Sequence, residues 1–200
     1  MDEKQLKFNQ RNKKRLLGEV ASYIDRYPSE TDPFQVLKFL QEELNLFGRD
    51  SKTGHITCSA WVLNYGRTHA VLVYHRHLNR WIQPGGHVEP VETPRQGALR
   101  EAVEESGISA LRLLDQRIFH ISIMNFPEGK DGPSHFHFDL RYLIQAPKGA
   151  VLSAPQEVGG AKWVPLNRLE AYSEEETILM MAEKTANWLL ENQEAGRRQL

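Results

Sequence analysis

One helix in the middle of the chain, which carries its own start and stop signals, most constrains what this sequence can fold into. Thr93 precedes it and Gln96 follows three residues later, which is a capping box, and Gly107 comes directly after the last turn. The helix is therefore predicted to span 94–106. Because strand patterns lie on both sides of it, the fold must pack this helix against a sheet.

Five segments carry the strand pattern. They lie at residues 55–63, 70–75, 117–124, 136–145 and 161–164. A turn at Asn64-Tyr65-Gly66 separates the first two. Because hairpin-like strand pairs and helices are mixed along the chain, the predicted class is α+β or α/β with a mixed sheet.

Helical patterns occupy both ends of the chain. The first helix is predicted to stop at Pro28, and the second to begin with Asp32 as its cap and to end before Gly48. A third follows Ser173, whose capping partner is Glu176. Their apolar positions are Leu17, Val20, Ala21, Ile24, Val36, Leu37, Leu40, Leu44, Ile178, Met181, Ala182 and Leu189. Spacing alone leaves open whether these faces cover the chain's own sheet or build a homodimer, and we predict a homodimer.

Composition excludes several classes of protein. With 25 Lys and Arg against 26 Asp and Glu the net charge is −1, so no global basic field favours nucleic acid. The single cysteine, Cys58, cannot form an internal disulfide, which favours a reducing compartment. No stretch approaches the roughly 20 apolar residues of a membrane span, and the N-terminus has no apolar leader. We expect a cytoplasmic protein without a membrane or nucleic-acid partner.

Negative charge is concentrated around the central helix. Five carboxylates and two arginines lie between Glu89 and Glu105, a local charge of −3. Glu101, Glu104 and Glu105 are spaced to project from one helix face, where like charges destabilise a helix. Mg²⁺ would offset this repulsion, because it prefers oxygen ligands and keeps positions for substrate phosphates. A solvated helix face is the alternative, and the spacing alone does not decide between them.

Residues 86–108 resemble the signature of the Nudix (MutT-like) hydrolases, G-x5-E-x7-R-E-U-x-E-E-x-G-U, in which U is aliphatic. The fixed positions and the last aliphatic one are matched by Gly86, Glu92, Arg100, Glu101, Glu104, Glu105, Gly107 and Ile108. Ala102 is smaller than the usual residue at the other aliphatic position. The resemblance implies an α/β/α sandwich, with a helical extension at 1–50, the hydrolase domain at 51–170 and a C-terminal helix at 171–200 packing on it.

The resemblance also implies a reaction: hydrolysis of a nucleoside diphosphate linked to another group, dependent on Mg²⁺ or Mn²⁺. Glu101, Glu104 and Glu105 would be the metal ligands, together with the Gly86 carbonyl. The physics agrees, because bound cations reverse the field that repels a polyanionic substrate and polarise its phosphoryl oxygens.

Other residues of this segment receive roles by the same resemblance. Arg100 is expected to pair with a neighbouring carboxylate and orient it, and Gly85 and Glu92 to be structural in the loop. The general base is not fixed by the signature. Glu157, in a loop before the last strand, is one candidate, and Glu104 or Glu105 acting through the attacking water is the other.

A second polar pattern lies on the fourth strand. Alternation places His135, His137 and Asp139 on one face, where they would bind a transition metal, contact substrate or simply line the cleft. Two histidines two residues apart need a third ligand from elsewhere to close a metal site. His87, beside the Gly86 turn, is a further candidate for phosphate contact.

Two rival functions use the same fold. An isopentenyl diphosphate isomerase would need Cys58 as its active-site cysteine, but that residue lies among apolar neighbours and the glutamate signature is intact. A non-catalytic sensor of a nucleotide or nucleotide sugar would be expected to lack a catalytic glutamate, and this chain retains all of them. Which diphosphate is the substrate stays open.

Overall fold

The computed structural model describes residues 3–48, 51, 53–76, 78–126, 134–155 and 159–197, and these contain eight strands and four α-helices. In chain order the elements are α1 (Glu3–Arg26), α2 (Asp32–Glu42), β1 (Gly54–Leu63), β2 (His69–His75), β3 (Arg80–Ile82), β4 (Gly85–His87), α3 (Pro94–Ser106), β5 (Arg112–Leu113), β6 (His120–Phe126), β7 (His135–Gln145), β8 (Ala161–Pro165), a 3₁₀ helix (Leu166–Ala171) and α4 (Glu176–Arg197).

The strands form one mixed sheet, as predicted. Strand β1 lies at its centre and pairs in parallel with β7 along its whole length, from Gly54 opposite Phe136 to Leu63 opposite Gln145. It pairs antiparallel with β2 and β4, whereas β7 pairs antiparallel with β5 and β6. Strands β3 and β8 both pair with β2.

Helices cover both faces of this sheet. On one face, Ile56, Cys58 and Ala60 of β1 are buried in the cluster that also contains the apolar residues of α1, α2 and α3. On the other, Trp61 is fully buried beneath α4 and donates a hydrogen bond from Nε1 to Thr185 Oγ1 at 2.9 Å. The expected layered arrangement with helices at both ends of the chain is confirmed.

The N-terminal helices bury their apolar faces against this chain's own sheet. Val20 of α1 and Leu40 of α2 are fully buried, and Phe39 stacks on Phe138 of β7 with ring centroids 4.1 Å apart. Ala21 is exposed, so the buried face of α1 is rotated from the predicted one towards Leu16 and Tyr23. The homodimer stays a prediction.

The sequence prediction of α2 was wrong at both ends. Thr31 occupies the cap position without a side-chain cap, and the Asp32 carboxylate instead accepts a hydrogen bond from the backbone N–H of Ile123 at 2.9 Å. The helix ends at Glu42, which leaves Leu44 outside it and 85% exposed. A tertiary partner has displaced the local cap.

Among the other strands, one begins later than predicted and three short ones were not predicted. Strand β6 begins at His120, three residues later than expected, because Arg117 is held in a turn by Asp115. Strands β3, β4 and β5 were not predicted at all; each has two or three residues and depends on its neighbour in the sheet.

A buried polar cluster joins α1, β6 and α4. Lys184 Nζ lies 2.6 Å from Glu30 Oε1 and 3.0 Å from His120 Nδ1, and it also contacts the Tyr23 hydroxyl. Tyr23 donates to the other Glu30 oxygen at 2.6 Å. We call these four residues the lysine cluster. Burial lowers the pKa of His120 well below its usual value and also lowers that of Lys184.

Within the described part of the chain, every helix is too short or too polar to cross a bilayer.

Candidate active site

Helix α3 is fixed at both ends by local interactions. The Gln96 N–H donates to Thr93 Oγ1 at 3.2 Å and the Thr93 N–H donates to Gln96 Oε1 at 3.0 Å, so the predicted capping box is present. Gly107 ends the helix in the left-handed conformation at φ 72°. Ala98 and Ala102 on the inner side are fully buried, which leaves the glutamates on the other side of the helix.

The helix lies unusually close to the central strand. A Cβ atom on Gly97 would lie 2.5 Å from Cys58 Sγ, so only glycine fits there without movement. Cys58 is fully buried, its thiol donates weakly to the Gly86 carbonyl at 3.6 Å, and burial raises its pKa well above the ordinary value. A buried, protonated thiol under a helix is a packing residue, which counts against the isomerase alternative.

Two of the three signature glutamates of α3, Glu101 and Glu105, lie against strand β4. A Cβ atom on Gly86 would lie 2.5 Å from Glu101 Oε1, so this carboxylate rests against the glycine backbone. Glu105 Oε2 accepts a hydrogen bond from the Gly85 N–H at 3.0 Å. The Glu104 side chain is 55% exposed and marks the solvent side of the cluster. We refer to Glu101, Glu104 and Glu105 as the carboxylate cluster.

Arg100 pairs with three neighbouring carboxylates, and the orienting role expected for it stays a prediction. Its guanidinium lies 3.0 Å from Glu92 Oε2, 2.8 Å from Glu101 Oε1 and 3.0 Å from Glu104 Oε2. It also donates to the His87 carbonyl at 2.9 Å. These contacts raise the pKa of Arg100 further, chiefly through Glu92. One arginine thus bridges the loop and the helix.

Glu92 holds the loop before α3. Its Oε2 accepts the Glu89 N–H at 3.0 Å in addition to its pairing with Arg100, and its side chain is 15% exposed. This loop contains Val91, a β-branched residue at φ 63°. Such a residue is rarely found there, so the hydrogen bonds of Glu92 maintain a strained turn.

The carboxylate cluster is partly buried and has more negative than positive charge around it. Desolvation raises the pKa of Glu105 to about 7, and it also raises that of Glu101. Arg100 supplies one positive charge for Glu92 and the three glutamates of the cluster. Hard oxygen donors with unbalanced negative charge are the environment that Mg²⁺ or Mn²⁺ prefers, so these residues fit such an ion.

The polar residues predicted on β7 divide into two groups. Asp139 is 1% exposed, and its carboxylate accepts hydrogen bonds from Thr57, Ser59 and Arg141 at 2.8–3.0 Å. Its partners satisfy it within the sheet face, away from open solvent. A contact between Asp139 and substrate stays a prediction.

His135 and His137 instead meet histidines from two other strands. The His55 ring of β1 lies 5.2 Å from His135 and 4.6 Å from His137, and the His87 ring of β4 lies 5.4 Å from His137, measured between centroids. Phe126 stacks on His137 at 4.1 Å. Burial, then the neighbouring histidines, lower the pKa of His137 to about 3, so this imidazole is neutral at physiological pH. We call His55, His135 and His137 the histidine triad.

Sequence reasoning missed one member of this group, His55. His55 opens the polar face of β1, and its alternation with Thr57 and Ser59 was a readable signal. What the sequence could not show was the parallel pairing that sets His55 opposite His137. Glu157, the candidate general base, lies outside the described residues.

Comparison with known proteins gives consistent results. A family model described as the NUDIX domain matches residues 55–183. A protein of Lactococcus lactis subsp. cremoris (strain MG1363), named "Probable DHNTP pyrophosphohydrolase", is 26% identical over 131 residues, which cover 64% of this chain and 78% of the relative.

Solved structures show the same fold. A NUDIX-family hydrolase from Clostridium perfringens is 23% identical with a TM-score of 0.55, covering 68% of this chain and 97% of its own. An Ap4A hydrolase from C. elegans, solved as a binary complex, is 19% identical with a TM-score of 0.53 and the same coverage of both chains. At these identities the likeness is one of fold.

Proposed function

The chain belongs to the NUDIX family, and from this premise we propose that it is a metal-dependent pyrophosphohydrolase that cleaves a nucleotide-type diphosphate by attack of water on phosphorus. One observation carries the proposal. The carboxylate cluster is held against the glycine backbone of β4, with Arg100 as its only close cationic partner among the described residues. A bound divalent cation would supply charge neutralisation and activate water.

Each residue of the cluster has a role that its contacts support. Glu101, Glu104 and Glu105 are the proposed ligands, with the carbonyl of Gly86, the residue against which Glu101 rests, as a further oxygen donor. Arg100 is a positioning residue, because its guanidinium is occupied by carboxylates and by the His87 carbonyl. Glu92 fixes the position of Arg100 by pairing with it.

The proton of the attacking water has two candidate acceptors. Glu105, a largely buried carboxylate that accepts a hydrogen bond from the Gly85 N–H at 3.0 Å, is one candidate. Glu157 is the other candidate. Their variants distinguish them: replacing the true base by Gln abolishes the acidic limb of the pH–rate profile, whereas replacing the other residue lowers the rate and leaves that limb in place.

The substrate class is proposed from charge and from relatives. The Lactococcus lactis relative is named for action on DHNTP, and the C. elegans structure is that of an Ap4A hydrolase. The histidine face beside β4, with His87, His135 and His137, is the proposed contact surface for the part of the substrate that is not cleaved. We further propose that the hydrolase domain spans 51–170, with helical additions at 1–50 and 171–200.

A substrate panel tests the proposal. Purified protein with Mg²⁺ is incubated with DHNTP, Ap4A, nucleoside triphosphates, ADP-ribose and nucleotide sugars, and phosphate, pyrophosphate and nucleoside monophosphate are measured. Hydrolysis of at least one compound, abolished by a chelator and restored by Mg²⁺ or Mn²⁺, supports the proposal. Binding of a nucleotide without any product would contradict it and support the non-catalytic sensor.

A further inference from the structure

The histidine triad brings three imidazoles to one end of the sheet. His135 and His137 share a face of β7 because they are two residues apart in a strand, and His55 lies opposite His137 on the parallel neighbour β1. One ring nitrogen from each of the three lies within 4.8 Å of the others. The third ligand that the β7 sequence lacked is therefore supplied by another strand.

We propose that His55, His135 and His137 bind a transition-metal ion, with Zn²⁺ as the probe that fits best, at a site separate from the carboxylate cluster. Zn²⁺ binds imidazole nitrogen at about 2.0–2.1 Å, which places two ligand nitrogens of a tetrahedral site roughly 3.4 Å apart. His135 Nε2 and His137 Nε2 are 3.1 Å apart. The pair needs only a small movement to receive the ion.

The chemistry of the donors separates this site from the one on α3. Neutral imidazole favours zinc, copper, nickel or iron, whereas carboxylate and carbonyl oxygens favour magnesium or manganese. The carboxylate nearest along β7, Asp139, is occupied by Ser59, Thr57 and Arg141 and does not add an oxygen to the triad. Three nitrogen ligands leave the fourth tetrahedral position for water or a substrate group.

Binding has a defined proton consequence. In the metal-free protein one of the two Nε2 atoms of His135 and His137 carries the hydrogen that the other accepts. To bind one ion through both atoms, the donating ring must carry its hydrogen on Nδ1 instead. This is a change of tautomer of a neutral ring, so the two imidazoles release no proton when Zn²⁺ binds.

The three histidines of the triad are held by regular strands and by an aromatic neighbour, as expected of a rigid site. His135 and His137 lie on the longest strand of the sheet, His55 on the central one, and Phe126 stacks on His137 from β6. The His87 ring, 5.0 Å from His55, borders the triad on the side of β4. The main-chain segment that carries His87 also carries Gly86, so strand β4 borders both proposed metal sites.

Zinc titration of the full chain in excess Mg²⁺ tests the proposal. The excess Mg²⁺ is there to fill the carboxylate cluster. The protein then competes with a chromophoric chelator for added Zn²⁺. We expect one equivalent of Zn²⁺ to bind, and His135→Gln or His137→Gln to weaken it at least about 100-fold. His69→Gln, a histidine on β2 outside the triad, is the matched control and should leave the affinity unchanged.

The outcomes separate this inference from the proposed function. Zinc affinity that survives His137→Gln, or that is lost in Glu101→Gln, would overturn the triad site whether or not the protein hydrolyses its substrate. X-ray absorption on zinc-loaded wild-type protein removes any dependence on the folding of variants. A shell with three nitrogen ligands supports the proposal, and a shell of oxygen ligands or the absence of bound zinc overturns it.

Discussion

The carboxylate cluster and the lysine cluster both remove ionisable groups partly or wholly from bulk water, but they balance charge differently. In the lysine cluster, Lys184 and Glu30 pair directly, and Tyr23 and His120 complete their hydrogen bonds. In the carboxylate cluster, Arg100 is shared among three acids and Glu105 accepts a hydrogen bond from a backbone N–H.

The difference teaches how to distinguish a structural charge group from a functional one. A balanced, buried group joins elements and gains nothing from an added ion. An unbalanced group at the edge of solvent carries a cost that a cation or a substrate relieves. Both groups contain a strongly perturbed pKa, so perturbation alone does not mark the active site.

The largest expected effect tests the function of the unbalanced group. Glu104→Gln should lower kcat at least about 1,000-fold, because a lost metal ligand removes several kcal/mol of transition-state stabilisation. The midpoint of urea unfolding should stay within experimental error, since Glu104 is half exposed. Glu170→Gln, on an exposed position of the 3₁₀ helix, is the control. Retained turnover in Glu104→Gln would remove this helix from the catalytic site.

The second prediction concerns the balanced group. Lys184→Met should lower the free energy of unfolding by about 3 kcal/mol, because it leaves Glu30 buried without its cation. Adding Glu30→Gln should recover part of the loss. The exposed pair Lys38 and Glu42 is the matched control, and Lys38→Met should cost less than about 0.5 kcal/mol. Equal losses at the two lysines would refute the distinction.

The third prediction uses pH, to which the two clusters respond in opposite directions. As pH rises from 4.5 to about 7, the unfolded chain loses the Glu105 proton before the folded one does, so the metal-free protein loses stability, on the order of 2 kcal/mol. As pH falls below 6.5, the unfolded chain protonates His120 and the folded one does not, which also costs stability.

Both effects act between pH 4.5 and 6.5, so urea unfolding with a chelator across pH 4.5–7.5 separates them by comparing variants. Glu105→Gln should abolish the loss of stability towards high pH, and His120→Gln the loss towards low pH. Excess Mg²⁺ should suppress only the first, because a bound cation keeps Glu105 ionised. A single variant that changed the pH dependence of the free energy of unfolding in both directions would show that the two clusters are coupled.

The smallest expected effect concerns the helix that carries the carboxylates. Thr93→Ala should destabilise the protein by about 1 kcal/mol through loss of the capping box, and Thr93→Ser should restore most of it. KM for substrate should change little, since the glutamates lie at the far end of α3. A large loss of kcat would mean that the cap also positions the site.

Local signals made α3 predictable to the residue, whereas tertiary pairing hid other features. Thr93 and Gly107 mark the helix ends through bonds within a few residues, and the glutamate spacing follows from helix geometry. Asp32 carries an equally good cap signal, yet its carboxylate binds the backbone of Ile123 on β6. The role of His55 needed the pairing of β1 with β7, which no local pattern encodes.

The parallel pairing of β1 with β7 also has a consequence for how the chain folds. Thr57 and Asp139, which are bonded across this pair, are 82 residues apart in sequence. Closing so long a loop is entropically costly, and contacts of this range slow folding. During synthesis the centre of the sheet cannot form until Gln145 has left the ribosome, so α1 and α2 are synthesised well before the sheet surface on which they pack. We therefore expect the hydrolytic cleft and the histidine triad to mature together, in one late step of folding.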